Sequence, residues 1–276
     1  MNSPQTLDVL AIAAHRDDVE QTCGGTLLKM AERGHRTAIL DLTRGEMGTR
    51  GTADDRAREA AEAARILKAS WREALDISDG RVENTYENRL KVARVLRRSR
   101  PRVVILPYWQ GRHPDHYTAS TLGYEACFLA GLKKLDIEKS LSEGRLSEDR
   151  LSEGRGFSRA VKAPDNDAAL AAEGLRPHRP FKIIYASLYF DVRPTFVVDI
   201  TDQFEARFAS LMAYQSQYAD RQEGAGLFPR QAEIRDRIET MAKFYGLLAG
   251  VKYAEPFVQK EIGLVDDVIA IPVQSL

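Results

Sequence analysis

The stretch Leu7–Asp18, LDVLAIAAHRDD, decides the fold. Leu7–Ala14 reads as a strand buried on both faces, because it is apolar apart from Asp8 and shows no polar alternation, as in the middle of a parallel sheet. The run then stops on His15, Arg16, Asp17 and Asp18. Open α/β sheets bind their ligands just outside the carboxyl ends of such strands. A nitrogen donor with two carboxylates and no glycine suits a hard or borderline metal such as zinc better than a phosphate.

Outward from that strand, Val19–Arg33 reads as a helix closed by Gly34. Its Gly24-Gly25 pair serves either close packing on the sheet or room for a ligand. Thr37–Thr43 is a second strand, and it runs into RGEMGTRG (44–51), a glycine-bearing loop of the kind that binds ligands at strand ends. An alanine-rich helix over Asp54–Ser70 has its acids early, as the helix dipole favours. A short strand, ALDIS (74–78), precedes Asp79-Gly80. Asn84 with Glu87 forms a capping box for a helix over Thr85–Arg98, and Arg102–Leu106 is another buried strand. This alternation predicts right-handed crossovers and a parallel sheet.

A helix over Tyr117–Leu135 follows. LSEGR, LSEDR and LSEGR then repeat in tandem over Leu141–Arg155. A five-residue period matches neither helix nor strand, so about 139–176 reads as a surface insertion. Strands are expected over Phe181–Ser187 and Thr195–Thr201. Asp202 with Glu205 would cap a helix running to about Tyr218, and a last helix covers roughly Glu233–Leu248. The tail Tyr253–Leu276 carries a final apolar run, VIAIPV, and the C-terminal third reads as part of the same body, suited to subunit contacts. The expected architecture is one α/β domain over 1–276: a Rossmann-like three-layer sandwich with a mainly parallel sheet.

The chain has 276 residues, 43% hydrophobic and 29% charged, enough for a large ordinary core. Lys+Arg and Asp+Glu both number 40, and this balance argues against a nucleic-acid binder. No apolar run approaches the roughly 20 residues that span a bilayer, so no membrane partner is expected. MNSPQTLD lacks the charged and apolar regions of a secretory signal, and Cys23 and Cys127 make no disulfide framework. A reduced cytoplasmic protein is the expectation. His35 and His178 sit in polar loops and read as solvated.

The second histidine-bearing stretch is His113-Pro114-Asp115-His116. Pro114 excludes His113 from helical geometry and suits the first turn of a helix, which puts His113 at an N-cap and His116 one turn in. Both signature stretches then leave carboxyl ends of parallel strands, within reach of one metal. His15, Asp18 and His116 are the candidate ligands, two nitrogens and a carboxylate with a fourth position for water. Zinc lowers the pKa of a coordinated water to roughly 7. Asp17 is the candidate general base for that water, His113 the candidate to stabilise an oxyanion or protonate a leaving amine, and Asp115 its orienter. The turn His15–Asp18 holds no G-x-G-x-x-G, which counts against a dinucleotide-binding oxidoreductase.

The AHxDD stretch (14–18, with Arg16 at x), TRGEMGTRG (43–51) and HPDH (113–116) resemble the PIG-L / LmbE-like family of zinc-dependent N-acetylglucosamine deacetylases. DGRVENTYENRL, LPYWQGRHPDHYTAS, EACFLAGLKKL and FVVDIT resemble its bacillithiol-biosynthesis branch, N-acetylglucosaminyl malate deacetylase. The resemblance covers nearly the whole chain outside the insertion. It implies one Zn2+ per subunit, with Fe2+ or Co2+ as substitutes, held by His15, Asp18 and His116. It implies Asp17 as general base, His113 on the oxyanion side supported by Asp115, and Arg56 and Glu46 at the substrate. It further implies a small-molecule N-acetylglucosaminide substrate, a hexameric homo-oligomer, and a tyrosine acting on the carbonyl, for which Tyr185, Tyr189 and Tyr218 are the options. Arg16 departs from the family's usual proline, and it is expected to loosen the loop and add charge beside the metal. Another N-acetylglucosamine conjugate, a chitooligosaccharide, or a non-catalytic metal- or sugar-binding role are the competing readings.

Overall fold

The computed structural model describes residues 6–143, 175–187, 192–219, 229–271 and 273. Most of the expected insertion, and Tyr189, lie outside the described residues. Seven strands form one sheet in the order β3-β2-β1-β4-β5-β7-β6. They are β1 (Val9–Ala13), β2 (Thr37–Asp41), β3 (Arg72–Ala74), β4 (Val103–Pro107), β5 (Lys182–Ala186), β6 (Phe196–Asp199) and β7 (Ala254–Val258). The first five run parallel, and β7 is antiparallel to both β5 and β6. β1 is buried at every position and lies between β2 and β4, where the strand order reverses. The gap at the carboxyl ends of β1 and β4 is therefore the place for a ligand.

The helices are α1 (Asp18–Thr22), α2 (Gly24–Glu32), α3 (Ala53–Ile66), α4 (Tyr86–Ser99), α5 (Pro114–Ala130), α6 (Phe204–Met212), α7 (Gln215–Tyr218) and α8 (Gln231–Ala249). Alternate strand residues point to opposite faces and make two cores. Leu10, Ile12, Leu40, Val104 and Leu106 pack with Leu90 and Leu96 of α4 and Leu122 of α5. Val9, Ala11, Ile39 and Ile105 pack with Val19, Leu27 and Leu28 of α1 and α2. The result is the expected three-layer, mainly parallel α/β sandwich. No helix among the described residues is long and apolar enough to cross a membrane.

Several elements differ from the sequence reading. The helix expected over Val19–Arg33 is broken at Cys23, whose backbone leaves helical geometry. Both new ends are satisfied from the C-terminal third. Arg207 of α6 donates to the carbonyls of Glu20 and Gln21, and Glu255 of β7 accepts from the backbone N–H of Gly25 and Thr26 at 2.9 and 2.7 Å. Arg207 and Glu255 also pair at 3.0 Å. A Cβ on Gly25 would meet Glu255 Oε1 and Ile200 at 3.0 Å, so the glycine serves close packing.

Strand β7 itself was not expected, because AEPFV carries a buried glutamate and a proline, both rare in strands. β3 begins at Arg72 rather than Ala74, drawn forward by the bidentate pairing of Arg72 with Asp41 of β2. Thr85, not Asn84, caps α4, accepting from Asn88 N–H at 3.2 Å. The helix expected from Asp202 to Tyr218 has Gln203 at its N-cap and splits into α6 and α7.

Candidate active site

β1 ends one residue before the loop His15–Asp17, and α1 starts at Asp18. β4 ends at Pro107, and a loop leads to His113, which is the N-cap of α5 with Pro114 at the first helical position. Because β1 and β4 are adjacent, the two loops face each other. Asp18 Oδ2 accepts from the backbone N–H of His15 at 2.9 Å, which folds the carboxylate back toward the ring.

Donor atoms of three residues converge there. His15 Nδ1 lies 3.2 Å from His116 Nε2, Asp18 Oδ2 lies 3.4 Å from His15 Nδ1, and Asp18 Oδ1 lies 3.1 Å from His116 Nε2. Ligand atoms about 2.0–2.1 Å from a tetrahedral zinc are roughly 3.3 Å apart. The two ring nitrogens stand at that spacing, and each has one Asp18 oxygen at a similar distance. The electrostatics fit as well. His15 is buried, which disfavours its charged form, yet Asp18 and Asp79 outweigh burial and push its pKa up to about 11. Burial likewise opposes charge on His116, but Asp18 raises its pKa, and the two histidines in turn hold the Asp18 carboxyl below its usual range against burial. The cluster therefore favours positive charge at its centre.

The far side of His15 is anchored too. Its Nε2 lies 3.1 Å from Asp79 Oδ1 and 3.3 Å from Asp115 Oδ2. A carboxylate on the outer nitrogen fixes the orientation of a metal-binding imidazole. Asp79 was not singled out from the sequence, although its place after a strand of the same sheet was the available signal. His15, His113 and Asp115 also lie close enough for a metal. In that set, however, both Asp115 oxygens already accept from Gly80 and Val82 N–H at 2.8 and 3.1 Å.

This corrects the expected role of Asp115: its carboxylate braces His15 and the loop at Gly80, while only its backbone N–H reaches His113, donating to Nδ1 at 3.2 Å. His113 is exposed at the mouth. Partial burial lowers its pKa, and the neighbouring His15 and His116 lower it further, so the neutral ring prevails. With Nδ1 accepting, the proton of the neutral ring lies on Nε2, as a donor.

Asp17 sits beside the cluster. Its Oδ1 is 2.8 Å from Arg56 Nη2, and its Oδ2 accepts from the hydroxyl of Tyr218 and from Gln21 Nε2 at 3.3 Å. Burial and the Asp17 charge both raise the Tyr218 pKa, so the phenol stays protonated. Of the expected tyrosines, Tyr218 is the one in contact with Asp17, whereas the Tyr185 hydroxyl is buried in the core without a hydrogen-bond partner. Arg56 is buried behind Asp17, and a Cβ on Gly45, whose φ is +72°, would strike its guanidinium at 2.6 Å. The glycine of the RGEMGTRG loop thus lets Arg56 pass. Glu46 is exposed and accepts from Asp79 N–H at 2.8 Å, tying that loop to the one behind His15. Arg16 does not add its charge to the cluster: its guanidinium turns away and donates to the Ala53 carbonyl at 2.8 Å, at the start of α3.

Residues 10–127 match the family model described as PIG-L: GlcNAc-PI de-N-acetylase. A solved structure of a conserved protein from Thermus thermophilus is 35% identical, with 95% of this chain and 98% of that one covered and a TM-score of 0.72. The diacetylchitobiose deacetylase of Thermococcus kodakarensis is 29% identical over 90% of this chain and 80% of its own length. A 4-oxalmesaconate hydratase of Pseudomonas putida is 31% identical over 47% of this chain and 55% of its own. The matched residues 10–127 hold both histidine loops, and the chain belongs to the PIG-L (LmbE-like) deacetylase family.

Proposed function

We propose that this single-domain deacetylase removes the N-acetyl group of a glucosaminide with one zinc ion held by His15, Asp18 and His116. The observation that carries this reading is the convergence of donor atoms of these three residues at zinc-like spacing beside Asp17. When bound, the ion would polarise the amide carbonyl and acidify water. Asp17 accepts the proton of the attacking water; Arg56 and Tyr218 hold its two oxygens in place. Attack on the acetyl carbon gives a tetrahedral oxyanion, to which His113 Nε2–H donates. The C–N bond then breaks, the proton taken by Asp17 passes to the leaving amine, and acetate and a free glucosamine amine result.

For the substrate we read N-acetylglucosaminyl malate, as in bacillithiol biosynthesis, on the motifs DGRVENTYENRL and LPYWQGRHPDHYTAS. The similarity to a diacetylchitobiose deacetylase favours a second reading, a short chitooligosaccharide. Exposed Ile262, Leu264, Val268 and Ile269 after β7 support assembly into a homo-oligomer.

The test is metal analysis of the purified protein together with acetate release from the malyl glucosaminide, diacetylchitobiose and a neutral glucosaminide. Asp17→Asn and His116→Ala should each abolish release. Near-normal turnover in either variant overturns the assignment, and absence of release from every acetylated substrate favours the non-catalytic reading.

A further inference from the structure

The peptide carbonyl of Arg16 lies in the middle of the loop, between His15 and the Asp17-Asp18 pair. Two side chains from distant parts of the chain donate to it: Arg72 Nη2 from β3, and the Tyr214 hydroxyl from the turn between α6 and α7. Arg72 is itself fixed. Its Nε and Nη2 meet Asp41 Oδ2 and Oδ1 at 2.7 and 2.9 Å, and its Nη1 meets Glu20 Oε1 at 2.5 Å. The Tyr214 hydroxyl also lies 3.4 Å from Glu20 Oε1. Tyr214 and Glu20 are fully buried, and Asp41 and the Arg72 side chain nearly so.

A carbonyl that receives two buried donors, one of them cationic, cannot turn without giving up both bonds. The peptide plane after Arg16 is therefore held. That plane sets the direction in which His15 leaves the loop on one side and Asp17 and Asp18 on the other. The other outside contacts of the loop hold its side chains, Arg16 to the Ala53 carbonyl and Asp17 to Arg56 and Tyr218, and the Asp18 bond to His15 N–H moves with the loop. The anchor comes instead from the sheet, through Asp41 and Arg72, and from the C-terminal third, through Tyr214.

We infer that Arg72 and Tyr214 are positioning residues for the metal site, acting through the Arg16 carbonyl to keep His15 Nδ1 and Asp18 at ligand spacing. The inference rests on the metal reading above. Tyr214→Phe is the informative variant, because the ring packs against Ala60 and Ala63 of α3 and keeps those contacts while losing only the hydroxyl.

The experiment titrates metal-free wild type, Tyr214→Phe and His116→Ala with Co2+ and Zn2+ against a chromophoric chelator, and records the Co2+ visible spectrum. Tyr214→Phe should bind roughly 10–100-fold more weakly than wild type, as loss of a ligand's supporting contact does, with an altered Co2+ spectrum. If Tyr214→Phe does not fold, Arg72→Lys keeps the charge beside Asp41 and Glu20, loses the fork, and should show the same weakening. Wild-type affinity and an unchanged spectrum in the folded variant overturn the inference while leaving the metal site standing. Wild type binding no better than His116→Ala overturns the metal reading and this inference with it.

Discussion

Arg56 Nη2 lies 2.8 Å from Asp17 Oδ1, with only 6% of the arginine side chain and 15% of the aspartate exposed. The pair joins α3 to the loop after β1, two elements separated in the chain by α1, α2, β2 and a loop. An arginine expected at the substrate is thus placed behind Asp17, where it orients the carboxylate.

Removing Arg56 should strike kcat more than KM. Arg56→Met leaves the Asp17 carboxylate nearly buried without its partner. Breaking a buried ion pair on one side costs about 3 kcal/mol. Loss of a positioned base costs about 10²–10⁴-fold in rate. Steady-state kinetics should show kcat lowered at least about 100-fold with KM within a few-fold of wild type. A variant with raised KM and intact kcat would restore the substrate-contact role.

The break between α1 and α2 depends on one carboxylate. Glu255→Leu removes the acceptor for Gly25 and Thr26 N–H and leaves Arg207 without its acidic partner in a buried setting. The expected loss is about 3–5 kcal/mol, read as a lowered urea midpoint at unchanged m-value. A midpoint equal to wild type would mean that water or another group takes over both helix ends.

His178 gives a pH dependence whose sign follows from burial. It is half-buried rather than solvated, and its Nε2 lies 2.7 Å from the Pro101 carbonyl. Burial lowers its pKa, outweighing the opposing Pro101 bond, and Arg100 lowers it further. The fold therefore prefers the neutral ring. Its contribution to stability is complete above the unfolded value of about 6.5 and is lost as pH falls from there through the lower folded value. His178→Gln should be less stable than wild type by about 1 kcal/mol at pH 7.5. Denaturant midpoints at pH 5.5 should show that gap narrowed; a gap that widens on acidification contradicts the assignment.

The parallel β-α alternation of the first half and the site's address were legible because both are local signals. An apolar run without alternation announces a buried parallel strand, and His15, Asp18, His113 and His116 stand directly at the ends of two such runs. Pro114 told where α5 begins and made His113 its N-cap. Arg72 and Tyr214 carry no such mark, and Asp79 has only its place after a short expected strand. Each is an ordinary residue in its own stretch, and each matters only because a partner from elsewhere in the chain arrives beside it.

The residue pattern by itself determined the layers, the central strand and the place of His15, Asp18 and His116 at two strand ends, since periodicity and chain punctuation act over a few residues. Only the tertiary structure decided what holds them: Asp79 and Asp115 on the outer nitrogen of His15, Arg56 and Tyr218 on Asp17, and Glu255 across the helix break. A hydrogen bond of about 3 Å between groups far apart in the chain leaves no periodic trace in sequence, because its partners are brought together by the packing of whole elements.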